Sequence, residues 1–442
     1  MALVIELLRS SDQQMQAVAV ARLRDMPGKE ITQAAVAELP NLSATLQVQL
    51  LSALADRGDR IALPAVISAI KAKDVTIRVT ALKALGQLGD ASSVTSLAQK
   101  AAQTTGWEQK AARESLYRLR DPCCCRGRLA PAKAGVDKTI LAEIFSAKPE
   151  VKVELIRSVG QRNIAAGVET LLKTAQDPDS EVQRESFKVL KIIADQNHLP
   201  ALVQLLIEIQ TASIRSEAEK TVAAVAHKIE DQNRQAEAVL AALPEVSDTQ
   251  KRCSLLSVLG RIGDDSALPA IRKALNNGSV EEQDAAIRAL SDWPNSKPLN
   301  DLLKAASTSD NQIHRILALR GFVRMLGLES NPRSSRGPAE ETIKLYQQAM
   351  DLAQSIPEKR MVLSGLANVK SIAALEMAAS YLQDETLLPE AEVAVVKIAE
   401  GTFESHPQQT KDILNKIIQT SKNGSLRKLA QKLIKQIKEF PP

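Results

Sequence analysis

Large rings are scarce in this chain: phenylalanine, tryptophan and tyrosine together make up 2% of its 442 residues. One thick core at this length would be built around such rings. The abundant Ala, Leu, Val and Ile suit many thin layers of helix against helix instead. Cysteine is also rare. Of the four, Cys123, Cys124 and Cys125 are consecutive and Cys253 stands alone in a helical pattern, which excludes a disulfide framework. No run approaches the roughly 18 apolar residues of a membrane span, so no membrane insertion is expected. The opening Met1-Ala-Leu-Val-Ile-Glu-Leu-Leu8 lacks the basic start and long apolar stretch of a secretory leader. The chain as it stands is therefore expected to be soluble and cytoplasmic. Export is expected if the true N-terminus is missing.

Strong charge of either sign is missing too. Lys and Arg number 57 against 52 Asp and Glu, a net +5, too weak an excess to imply nucleic acid. Basic residues thicken only near the C-terminus, at Lys422, Arg427, Lys428, Lys432, Lys435 and Lys438. There the solvated face of a last helix accounts for them.

What the sequence has in quantity is a repeat. Ile77-Arg-Val-Thr-Ala-Leu-Lys-Ala-Leu-Gly-Gln-Leu-Gly-Asp90 reads as an amphipathic helix, with Asp74 placed to start it and Gly89 to end it. About thirteen copies open near Met15, Leu46, Ile77, Glu108, Val151, Val182, Ile214, Lys251, Glu282, His314, Glu358, Glu390 and Leu426, mostly at steps of about 31 or 32 residues. The fifth position of each copy is usually small, as in Ala19, Ala81, Ala112, Ala286 and Ala318. One turn later the residue is always apolar, as in Leu23, Leu54, Leu85, Phe322 and Ile398. Such an i, i+4 pair lets a neighbouring helix approach over the small residue and seat beside the large one. Between copies lies a second helical phrase, such as Ala62-Leu-Pro-Ala-Val-Ile-Ser-Ala-Ile70 or Ala267-Leu-Pro-Ala-Ile-Arg-Lys-Ala-Leu275, with Pro64 and Pro269 in the first turn. The unit is helix, turn, helix, and no strand pattern is present. A unit this small buries its apolar face only by stacking on its neighbours.

Phrases with Asp followed by Ile-Arg, Ala-Leu-Gly, Leu-Gly-Asp and Ala-Leu-Pro-Ala-Ile resemble HEAT-like repeats of the type named after phycobilisome lyases, over nearly the whole chain. Ala286-Ile-Arg-Ala-Leu-Ser-Asp-Trp-Pro294 and His314-Arg-Ile-Leu-Ala-Leu-Arg-Gly321 are similar, more narrowly, to bacterial HEAT-repeat proteins, which are often exported and often joined to other domains. The resemblance implies an all-α fold, a right-handed α-α superhelix of HEAT/armadillo type with about thirteen helix pairs. Residues 1–442 are expected to form one continuous solenoid. Two Pro/Gly-punctuated basic stretches, near 121–135 and 329–338, exceed the period and are expected to be exposed loop insertions.

Chemistry is hard to find. Cys123, Cys124 and Cys125 cannot converge on one tetrahedral ion without severe backbone distortion, and they have no nearby His or second CxxC. His198, His227, His314 and His406 fall in different repeats. No phosphate loop, nucleophile elbow or HExxH occurs, and the recurrent glycines are read as helix C-caps. Trp107 and Trp293, each at the edge of a copy, are expected to pack against neighbouring turns. Catalytic residues, metal ligands and cofactors are therefore all expected to be absent.

Arg78, Arg215, Arg252 and Arg315 occupy equivalent positions. In arrays of the resembled type, such arginines bridge neighbouring repeats through carboxylates. Left unneutralised, they would form a basic ridge for a partner, and they are the candidate partner surface. These residues point to a non-enzymatic scaffold for a protein or peptide, expected to be a fragment of, or an accessory to, a larger multidomain protein. A chromophore-attaching enzyme, as the lyase resemblance implies, and nucleic-acid binding along the ridge are the alternatives.

Overall fold

The computed structural model describes residues 2–119, 134–329 and 340–439. The described residues form twenty-six α-helices and no strand. The helices alternate between an A helix and a B helix, and the B helices are the repeated phrase itself. Of the two expected insertions, only Ala134 and Gly135, opening the helix Ala134–Ile144, and Glu329, closing Gln312–Glu329, lie within the described residues.

Two compact units divide between Thr221 and Val222, inside the helix Ala212–Ala226. Within the first unit the B helices Gln13–Asp25, Ala44–Arg57, Val75–Leu88, Gly106–Arg118, Pro149–Arg162 and Ser180–Ile193 pack each on the next. Within the second, Thr249–Ile262, Val280–Ser291, Gln312–Glu329, Ile356–Leu366, Leu388–Thr402 and Gly424–Glu439 do the same. In the second unit the A helices Leu268–Asn277, Leu299–Thr308, Ile372–Ser380 and Pro407–Thr420 touch their own B helices more broadly than they touch one another.

The two columns read from the sequence are the core. Every fifth-position residue from Ala19 to Ala430 is buried. So is every ninth-position residue from Leu23 to Ile398, while Ile434, in the last described helix, is half-buried. Each buried leucine in the column contributes roughly 1.5–3 kcal/mol relative to exposure.

The phrase Leu-Gly-Asp also has a local cause. Gly58 and Gly263 end their B helices in the left-handed conformation, at φ 70° and 68°. The following aspartate then caps a short 3-10 turn into the next A helix. Asp59 accepts from the Ile61 amide at 3.2 Å, and Asp90 and Asp264 accept from those of Ser92 and Ser266 at 2.9 Å. These bonds satisfy amides that a helix start leaves open.

Not every recurrent glycine is a cap. Gly86 and Gly260 sit inside B helices, where a Cβ would stand 2.7 Å from Ser115 and 2.5 Å from the Ala289 backbone of the next B helix. Their absent side chains set how closely successive repeats approach.

Candidate partner-binding surface

Arg78 extends from the first turn of the B helix Val75–Leu88 and forks onto Glu108 of the next B helix. Its Nε donates to Oε1 at 3.0 Å and its Nη2 to Oε2 at 2.9 Å. Its Nη1 donates to the Ala72 and Lys73 carbonyls, at 2.9 and 2.8 Å, in the turn leading from its own A helix. Glu108, through its hydrogen bonds, raises the Arg78 guanidinium above its ordinary range. Arg252 repeats the arrangement, donating to Glu282 of the next B helix and to the carbonyls of Leu243 and Val246, at 3.0 and 3.1 Å. Arg215 grips the Ile209 and Gln210 carbonyls at 3.0 and 3.2 Å, and the buried Nε of Arg315 has no hydrogen-bond partner. Of the four equivalent arginines, Arg78 and Arg252 are neutralised by carboxylates of the following repeat, and Arg215 reaches backbone in its own.

A second set of arginines was not apparent from the sequence. Arg57 donates to the Leu23 carbonyl at 2.5 Å and to that of Gly28 at 2.9 Å, around the end of Gln13–Asp25. Arg162 does the same at the end of Gly106–Arg118, reaching the carbonyls of Tyr117 at 3.1 Å and Leu119 at 2.8 Å. Arg324 holds the Ser291 and Trp293 carbonyls at 2.7 and 2.5 Å after Val280–Ser291. Each arginine lies late in its B helix and places its charge where the preceding B helix leaves carbonyls unpaired and its dipole is negative. The sequence signal is an arginine eleven or twelve residues into a copy.

With these charges committed to the stack, the exposed apolar side chains stand out. Val75 and Trp107 in the first unit, and Val280, Ile313 and Ile356 in the second, are all exposed. Each occupies the first turn of a B helix. Trp107 was expected to pack against a neighbouring turn, but it is 75% exposed, with the Lys110 ammonium 5.7 Å from its ring centre. Trp293, by contrast, is fully buried, and its Nε1 donates to Asp265 Oδ1 at 3.1 Å.

Val280 and Ile313 border a groove of about 490 Å³ running across Thr249–Ile262, Val280–Ser291 and the start of Gln312–Glu329. Its walls carry Cys253, Ser257, Arg261, Glu281, Asp284, Arg288 and the buried His314. Arg288 is paired with Asp284 at 2.7 Å. Burial, with Glu282, Glu281 and Asp284 close by, pushes the Cys253 thiol up to about 11. A thiol held that high is a poor nucleophile at neutral pH. The other histidines stay apart: His227 bonds Gln235 and the Arg261 carbonyl, His198 faces Asp195, and His406 meets Ser405. Among the described residues no group of three or more His, Cys, Asp or Glu could hold a metal ion. Cys123, Cys124 and Cys125 lie outside the described residues. No described helix is long and apolar enough to cross a membrane.

The sequence pattern described as HEAT repeats matches residues 32–117, 138–223 and 236–322, more than half of the chain. The chain belongs to the HEAT-repeat family. Solved structures of Kap121p share the fold of this HEAT-repeat chain. With Pho4p bound, Kap121p gives a TM-score of 0.54 at 12% identity, over 98% of this chain and 53% of Kap121p. The karyopherin bound to the SUMO protease Ulp1p, and Kap121p bound to Nup53p, each give 0.53 at 12% identity, over 98% of this chain and 52% of theirs. The chain thus spans about half the length of the solved structures it resembles. No curated protein matches it.

Proposed function

We propose that this chain is one HEAT-repeat array that serves as a non-enzymatic scaffold, binding a protein partner across the first turns of its B helices. The observation that carries this reading is the set of exposed apolar side chains there, two of which border a groove. Large apolar side chains recurring in the first helical turn, beside polar neighbours, fit a protein-binding surface. Kap121p, with which the chain shares a fold, is seen bound to Pho4p, Ulp1p and Nup53p, and we extend protein binding to this chain by that likeness. Neutralisation of Arg78 and Arg252 by Glu108 and Glu282 favours a protein over a nucleic-acid backbone. The raised Cys253 thiol favours binding over covalent chemistry in the groove. The finer likeness to phycobilisome-lyase repeats supports the repeat architecture and leaves chromophore attachment as the alternative activity.

The test is affinity capture from the source cell's extract at two salt concentrations, using the unaltered chain and a Val280→Ser/Ile313→Ser variant. A stoichiometric protein held by the first at both salts and lost by the second supports the reading. A protein held equally by both, or nucleic acid alone released by salt, contradicts it.

A further inference from the structure

Buried glutamates recur on the B helices, and most of them meet a cation. Glu108 is met by Arg78, Glu154 by Arg113 and Arg157, Glu185 by Arg157 and Lys188, and Glu282 by Arg252. Among the described residues Glu358 meets no cation but is satisfied locally by the Gln354 amide at 2.9 Å and the Ser355 hydroxyl at 2.8 Å. Glu392, on Leu388–Thr402, has neither a cation nor a full set of local donors among the described residues. It is only 5% exposed, its Oε2 accepts from the Ser421 hydroxyl at 2.9 Å, and its Oε1 is buried with no hydrogen-bond partner. A buried carboxylate so poorly matched is costly to the fold.

Glu392 lines a cavity of about 870 Å³ bounded by Leu388–Thr402, the end of Ile356–Leu366 and the turn at Lys422 and Asn423. A second acceptor stands in the same wall. Glu390 Oε2 is buried without a hydrogen bond. The Arg360 Nε is 3.2 Å away, but that guanidinium donates to the Thr386 carbonyl at 3.1 and 2.7 Å. The cavity's own cations leave Glu392 unmatched: Lys397 donates to Asn368 at 2.8 Å, and Lys422 makes no ion pair within the described residues.

We propose that this cavity is a binding site for an arginine side chain of a partner polypeptide, with Glu392 as its principal acceptor. A guanidinium supplies several donors in a planar fork, enough for the Glu392 carboxylate and a neighbouring acceptor together. It is also the cation this chain uses at Glu108, Glu154 and Glu282. The inference rests on the scaffold reading only in that the arginine belongs to a partner.

The test titrates the full chain with a capped Gly-Arg-Gly peptide and with the same peptide carrying neutral citrulline, read by calorimetry. The arginine peptide is expected to bind saturably, with the citrulline peptide at least tenfold weaker. Glu392→Gln should weaken the arginine peptide at least tenfold, whereas Glu404→Gln, at an exposed position, should leave it unchanged. Thermal melting supplies a second readout: Glu392→Gln should melt no lower than the unaltered chain, because it replaces a carboxylate that meets no cation among the described residues and keeps an acceptor for the Ser421 hydroxyl. Equal binding of the two peptides, no binding, unchanged binding by Glu392→Gln, or a lowered melting temperature of that variant would overturn the proposal. Failure here leaves capture through Val280 and Ile313 untouched, so the two readings fail separately.

Discussion

Arg78 and Glu108 lie thirty residues apart, one repeat, and meet through two parallel hydrogen bonds of 3.0 and 2.9 Å. Because Arg78 also holds the Ala72 and Lys73 carbonyls, one side chain fixes its own A-to-B turn and the next B helix together. Arg78→Gln and Glu108→Gln should each lower the urea midpoint, and the double variant should lose less than the sum of the two. Strict additivity in that cycle would show that the pair carries no coupling.

Glycine-to-alanine substitutions should change sign with position. Gly260→Ala places a Cβ 2.5 Å from the Ala289 backbone and should destabilise by about 1–3 kcal/mol, despite alanine's better helix propensity. Gly327, also in a helix, has nothing within 4 Å of a Cβ, so Gly327→Ala should stabilise by up to about 1 kcal/mol. Chemical denaturation of both variants checks the contrast.

The two columns that build the stack were legible because burial at a fixed helical position follows from periodicity alone. The glycines were legible only as punctuation. Gly58 and Gly263 are caps, but Gly86 and Gly260 are spaces for the next repeat, and sequence spacing does not distinguish a missing Cβ needed for φ from one needed for approach. Trp107 was misplaced for a related reason: its ring belongs to a helix's first turn, where the exposed and covered faces diverge by one residue. Glu390, not Glu392, stands where Glu108 and Glu282 stand in their copies, and Arg360 meets it across the repeat. That Glu392 meets no cation among the described residues is a tertiary fact that sequence spacing does not show.

Asp265 ties a repeat junction together, accepting from Trp293 and Asn295 at 3.1 Å each and from Lys297. Burial alone would raise its carboxyl, but the hydrogen bonds from Lys297, Trp293 and Asn295 outweigh that and hold it below the usual aspartate range. A folded-state pKa below the unfolded one stabilises at pH above the ordinary aspartate value, and that contribution is lost as pH falls through the depressed one. Asp265→Asn should therefore be less stable at pH 7, with the difference shrinking below about pH 4. A difference that stays constant from pH 7 to pH 3 would contradict this account of Asp265.

Cys253, with its thiol pushed up to about 11, should be slow to alkylate. At pH 7.5 its thiolate is rarer than that of an ordinary cysteine by a factor of roughly 100. Iodoacetamide labelling followed by peptide mass spectrometry should show the Cys253 peptide reacting at least tenfold more slowly in the folded chain than in urea. Equal rates would contradict the shielded environment described for the groove.

The account's central claim is that the first turns of the B helices receive the partner, and amide hydrogen exchange with and without the captured protein tests it most directly. The prediction is slowed exchange at the starts of Val75–Leu88, Gly106–Arg118, Val280–Ser291 and Gln312–Glu329, where backbone amides lack partners within the helix. Protection confined to A helices such as Val94–Gln103 and Leu268–Asn277 would contradict it.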